Sequence, residues 1–207
     1  MRREAWLKPV VFGVCLLPLA MLVWRAATVG LGADPIEEVT EATGRWTLNL
    51  LLITLAVTPL RRLSGWQWMG RLRRMLGLFA FFHAVLHFTI FLVFEHFFDW
   101  DEILRDIVKR PYVTVGFTAF VLLIPLALTS TNGMLRRLGG ARWRRLHRLV
   151  YLIGVLGVLH FIWLVKADLR DPILYAVVLS LLLALRLPWP AAWSRPARRE
   201  VSPSCAE

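Results

Sequence analysis

The feature that most constrains this chain is its alternation of long apolar runs with arginine clusters. Six apolar segments, about 9–30, 46–60, 75–98, 112–130, 147–165 and 172–190, fill the sequence. All but the second reach the ~18–20 residues that cross a hydrocarbon core of ~30 Å. A span must pair its own backbone groups away from water, so each segment is expected to be a helix. The expected fold is an all-α integral membrane protein, a six-transmembrane-helix bundle forming a single domain over 1–207. Charge sets its orientation. The second connection carries Arg61, Arg62, Arg71, Arg73 and Arg74, and the fourth Arg136, Arg137, Arg142, Arg144 and Arg145, neither with an acid. Asp34, Glu37, Glu38 and Glu41 lie in the first connection, Asp99, Asp101, Glu102 and Asp106 in the third, and Asp168 and Asp171 in the fifth. The positive-inside rule then places both termini in the cytoplasm, with a short basic tail over 191–207 carrying Arg195, Arg198 and Arg199.

This distribution also explains the net charge of +11, which would otherwise raise the question of nucleic acid. Cys15 and Cys205 cannot build a disulfide framework, no C-x-x-C-H marks a covalent haem, and no C-x-x-C pair suggests zinc or an iron–sulfur cluster. The amino end is superficially like a signal peptide, but its apolar run ends in Trp24-Arg25-Ala26-Ala27 and reads as a retained first helix. From Trp100 to Val108 apolar residues recur at helical spacing, which predicts a short helix in the interface plane. Two readings stand for that connection: a membrane-resting loop, or an acidic docking face for an extracytoplasmic partner.

Ionisable groups inside a bilayer are costly and mark function. The five histidines are His83, His87, His96, His147 and His160, all in or at the ends of the third and fifth segments, with His96 near the outer end of the third. A lone membrane histidine is usually a helix–helix hydrogen-bonder. Histidines concentrated on two helices can instead supply one axial ligand each to haem iron. At ~1.5 Å per residue, His87 lies roughly 20 Å beyond Arg74 and His160 roughly 22 Å beyond Arg145, so their depths match toward the outer half. His147 lies about 20 Å below His160 and, on one ideal helix, about 140° around from it. It is read either as a ligand of a second, inner haem or as a propionate hydrogen-bonder, with Gly154 and Gly157 permitting a bend or close packing. His83, one turn from His87, is an alternative ligand, and His96 reads as an interfacial side chain.

Arg73, Arg74, Arg144 and Arg148 are explained by topology, but guanidinium groups there would also bind haem propionates or a flavin phosphate. No G-x-G-x-x-G, P-loop or soluble nucleotide domain exists, so electrons are expected from quinone or a separate flavoprotein. The rival reading is a non-redox small transporter or scaffold. A self-contained ferric reductase is disfavoured by the missing nucleotide domain.

Several motifs together resemble the bacterial MsrQ (YedZ) family: Gly30-Leu31-Gly32-Ala33-Asp34-Pro35, Thr43-Gly44-Arg45-Trp46, Leu55 to Arg61, Arg73-Arg74-Met75-Leu76-Gly77-Leu78 leading to Leu86-His87, and Arg110 to Gly116. Thr129-Ser130-Thr131, Trp143 through Tyr151, His160-Phe161-Ile162-Trp163 and Val165-Lys166 complete the resemblance, which covers roughly 30–190. It implies a haem b subunit of the bacterial inner membrane, related to ferric reductase and NADPH oxidase transmembrane domains. Its electrons would pass from the quinone pool or a cytoplasmic flavin reductase to MsrP, a periplasmic molybdopterin methionine sulfoxide reductase that repairs oxidised proteins. The family's haem-associated histidines fall on His87, His147 and His160, and members are also described with flavin mononucleotide (FMN). His83 stands outside that pattern. The larger oxidases carry two histidines on each of the two helices, whereas Arg73 stands near the fourth position here.

Overall fold

Asp34 opens the longest helix of the bundle. Its carboxylate accepts the Glu37 amide at 3.0 Å, Pro35 fills the first helical position and Glu37 and Glu38 face the positive end of the dipole. The resulting helix, α2 (Pro35–Ser64), ends on Gly65 at φ 74°. The apolar segment expected at 46–60 is only its middle. Hydropathy missed the acidic first turns because they need not lie in lipid.

The computed structural model describes residues 6–165 and 167–186, and its other helices are α1 (Leu7–Thr28), α3 (Arg73–Ile90), α4 (Trp100–Lys109), α5 (Pro111–Leu128), α6 (Asn132–Leu146), α7 (Leu149–Leu164) and α8 (Arg170–Ala184). There is no strand among the described residues. The tail arginines, Cys205, Lys166 and the end of the sixth segment lie outside the described residues. A π-helical turn, Phe91–Glu95, extends α3. The short helix expected after Trp100 is α4, capped by Asp99, which accepts the amides of Asp101 and Glu102 at 3.1 Å.

Among the described residues three helices are long and apolar enough to cross a membrane: Leu7–Thr28, Arg73–Glu95 and Pro111–Leu128. Asn132–Leu146 and Leu149–Leu164, bent by 44°, make a fourth if taken as one span. α8 is short at 15 residues, and α2 carries Thr43, Thr47, Asn49 and Thr54 along its length.

α6 was not expected; the basic fourth connection is helical, with a break at Gly139 (φ 73°). Consequently His147 caps α6 and is not on the helix that carries His160. The angle worked out for one ideal helix therefore does not apply, because a 44° bend separates Leu146 from Leu149.

α2 is the central post. Leu48, Leu51, Leu52 and Leu55 join Leu76, Phe79 and Ala80 of α3, Leu123 and Leu126 of α5, Ile153 and Val158 of α7 and Leu179 of α8 in one core. α3 packs along α2, and α7 along α5. Gly154 and Gly157 serve close packing: a Cβ there would stand 3.2 Å from Leu179 and 3.3 Å from Leu48. Leu55 is 1% exposed at this junction. Leu55→Ala should therefore cost roughly 2–5 kcal/mol, seen as a lower thermal midpoint in detergent. An unchanged midpoint would deny that the α2 seam holds the bundle.

Candidate cofactor site

His87 on α3 and His160 on α7 face each other with ring centres 6.2 Å apart and planes at 78°. Each ring is held by the same device. His87 Nδ1 lies 3.0 Å from the Thr40 carbonyl and His160 Nδ1 2.7 Å from the Tyr112 carbonyl. A carbonyl only accepts, so each Nδ1 carries the proton and each Nε2 keeps its lone pair. Four residues after each carbonyl stands a glycine, Gly44 on α2 and Gly116 on α5. A Cβ at Gly44 would lie 3.0 Å from His87 Cε1, and one at Gly116 would lie 2.7 Å from His160 Nδ1. The missing Cβ is what lets a ring settle against the helix and reach its carbonyl. Thr43 Oγ1, 3.5 Å from His87 Nδ1, donates to Val39 and Thr40 carbonyls.

No described residue hydrogen-bonds either Nε2. The two rings lie side by side with Nε2 left unbonded on each, and no group of three or more His, Cys, Asp or Glu able to hold a metal exists among the described residues. The pair suits a metal that brings its own equatorial ligands, as haem does. Two imidazoles that each placed a nitrogen about 2 Å from one metal would have ring centres about 6 Å apart. The observed separation fits, and a backbone carbonyl on the second ring nitrogen is the usual arrangement behind a ligating histidine.

At the basic end of the bundle lies a cavity of about 480 Å³. Arg61, Arg73, Arg74, Arg144, Arg148 and Arg186 line it with His147, Ser130 and Tyr151, and no carboxylate is among its lining residues. Thus Arg73, Arg74, Arg144 and Arg148, singled out from the sequence, share one space. Arg73 reaches Thr58 at 3.5 Å, and Arg74 bonds the Asn132 side chain. Arg186 contacts the Tyr151 hydroxyl at 2.8 Å and the Leu55 carbonyl, while its buried Nε has no partner. His147 repeats the outer pattern with Nδ1 3.1 Å from the Trp143 carbonyl, its ring stacked on Trp143 at 3.8 Å and Nε2 3.4 Å from Ser130 Oγ. It is brought together with the arginines and not with a second histidine.

Of the remaining histidines, His83 stays outside the pair and His96 departs from its expected interfacial place. His83 is 1% exposed, turned to α1 with Nε2 3.2 Å from the Cys15 carbonyl, and does not join the His87–His160 pair. His96 is not an interfacial side chain but a buried partner of Asp106, with Nε2 3.1 Å from Oδ2. Asp106 accordingly points inward, leaving Asp99, Asp101 and Glu102 as the exposed acids of α4. The sequence reading missed Gly44, Gly116, Thr40, Tyr112, Arg61, Arg186 and Tyr151 as site residues. The available signal was a glycine inside each of two helices that need none for turning.

Residues 43–158 match the family described as ferric reductase like transmembrane component. The chain is 58% identical over 191 residues to a protein of Herminiimonas arsenicoxydans, covering 91% of this chain and 87% of that one. It is 49% identical to one of Azospira oryzae, over 97% and 90% of the two chains, and 55% identical to one of Ralstonia nicotianae, over 85% and 82%. Each of these relatives is named protein-methionine-sulfoxide reductase heme-binding subunit MsrQ. The chain belongs to the MsrQ family. It is thus a helical membrane protein of a redox family, as its apolar helices and the matched transmembrane component agree.

In this MsrQ chain the glycine seats give a direct test. Gly116→Ala should displace the His160 ring, moving its signals in a ¹⁵N-histidine spectrum. Gly133→Ala, where a Cβ meets nothing within 4 Å, should leave them in place. An unmoved His160 in Gly116→Ala would contradict the seat.

Proposed function

We propose that this chain is the haem b electron-transfer subunit of a methionine sulfoxide reductase system in the bacterial inner membrane. The observation that carries the reading is the His87–His160 pair, two imidazoles with ring centres 6.2 Å apart, each anchored through Nδ1 to a main-chain carbonyl. In this reading both would hold haem b, which would supply an iron that exchanges single electrons. The residues of the chain hold the rings, fix their tautomers and keep the gap apolar. No substrate-reducing site is assigned to the chain itself.

The bundle is read with six spans and with the basic end and both termini cytoplasmic, supported by the arginine-rich connections and the acidic opposite end. Electrons then enter from the quinone pool or a cytoplasmic flavin reductase and leave to a periplasmic MsrP-type molybdopterin subunit. The relatives' names support the haem and the methionine sulfoxide system. The arginine cavity supports an anion near His147: Arg73, Arg74 and Arg148 would pair bidentately with propionates of a second haem or with the phosphate of FMN. His147 would serve there as a ligand or as a hydrogen-bonder to a propionate.

His87→Ala and His160→Ala should each lose the low-spin haem spectrum of the outer site, whereas His147→Ala should keep it. The check is haem per chain in purified variants together with their reduced spectra. Normal haem in both outer variants would sink the pairing.

A further inference from the structure

Asp106 stands at the centre of a buried cluster for which electron transfer has assigned no task. His96 is 7% exposed and Asp106 8%. The Asp106 carboxylate accepts from His96 Nε2 through Oδ2 at 3.1 Å and is ion-paired through Oδ1 with the half-exposed Arg110, whose Nε lies 3.1 Å away. His96 Nδ1 lies 3.1 Å from the Phe91 carbonyl, so the ring is fixed on both sides. A buried carboxylate with two charge-assisted partners is a rigid connector, because either bond lost leaves a desolvated charge short of a partner.

What the connector joins gives it a use. His96 closes the extension of α3, the helix that carries His87. Arg110 precedes α5, and its Nη1 donates to the Tyr112 hydroxyl at 3.2 Å. The carbonyl of that same Tyr112 holds His160 Nδ1. α4 therefore runs from the end of one ligand helix to the carbonyl that orients the other ligand. A second path runs beside it: His96 packs on Phe91 at 4.3 Å, Phe91 on Phe88 at 6.1 Å, and Phe88 on Phe117 and Phe120 of α5 at 5.8 and 4.7 Å.

We propose that His96, Asp106 and Arg110 are positioning residues, a brace across the acidic end that sets the separation and orientation of His87 and His160. The proposal rests on reading those two histidines as the haem ligands. It predicts that α4 tunes the site without touching it, and that the exposed acids of the same helix do not share the task.

Two measurements on the full chain separate the brace from the ligand reading. Spin labels at Thr89→Cys and Leu164→Cys, both exposed, with Cys15 and Cys205 replaced, report the α3–α7 distance in haem-free protein. Asp106→Asn and the milder Arg110→Gln should broaden that distribution; Asp101→Asn should not. In haem-loaded protein the first two should release haem to excess apomyoglobin about tenfold faster, the scale seen when an outer-shell partner is removed. The haem they retain should also show a shifted low-spin electron paramagnetic resonance signature. Unchanged label distances in both variants would overturn the brace, and so would unchanged haem release and signature despite broadened distances. Equal effects from Asp101→Asn would overturn it as well, by making bulk charge the cause. Parent protein without a bis-histidine signal would instead overturn the ligand reading, with the label distances still deciding the brace.

Discussion

Two imidazoles inside an apolar bundle must hydrogen-bond or be expelled, and in this chain each does so through Nδ1 to a main-chain carbonyl. That bond does more than satisfy a buried donor. It selects the tautomer, leaves Nε2 without a hydrogen bond, and requires a glycine one turn along so that the ring can approach. Thr40 with Gly44 on α2, and Tyr112 with Gly116 on α5, are the same solution used twice. The packing follows from it: each histidine helix lies along the helix that holds its ring, α3 on α2 and α7 on α5.

The two ends of the bundle are built for different tasks. The basic end opens on a cavity of about 480 Å³ where six arginines meet with no lining carboxylate. Such a concentration of guanidinium groups is self-repelling, and an anionic guest relieves it. At the other end Arg25–Glu38, Arg45–Asp171 and Arg110–Asp106 are paired, at 2.7, 3.2 and 3.1 Å. Charge is compensated where α4 closes the fold, whereas no carboxylate lines the cavity among the described residues.

Much of this was legible in the sequence, for a physical reason in each case. Depth along a helix is linear in residue number, so His87 and His160 could be matched before their rings were seen. The amphipathic spacing after Trp100 located α4. What failed depended on polarity outside the lipid or on the path of the chain. The first turns of α2 are charged, and hydropathy cannot see a helix continuing into water. The bend before Leu149 cannot be read from periodicity, and it sets His147 in the turn between α6 and α7 instead of inside α7. His96 looked interfacial because nothing local shows that Asp106, ten residues on, turns inward to meet it. The glycine seats were present in Thr43-Gly44-Arg45-Trp46 and in Tyr112 to Gly116, but only a neighbouring helix gives them meaning.

The central claim is that one gap, closed by His87 and His160, holds a b-type haem. The most direct measurement is the oxidised and reduced visible spectrum of the detergent-purified protein, with haem quantified as the pyridine haemochrome. The account predicts a low-spin b-type signal at one haem per chain, or at two if His147 and the arginine cavity hold another. A colourless protein that also takes up no added haem would contradict it and return the bundle to a transporter or scaffold.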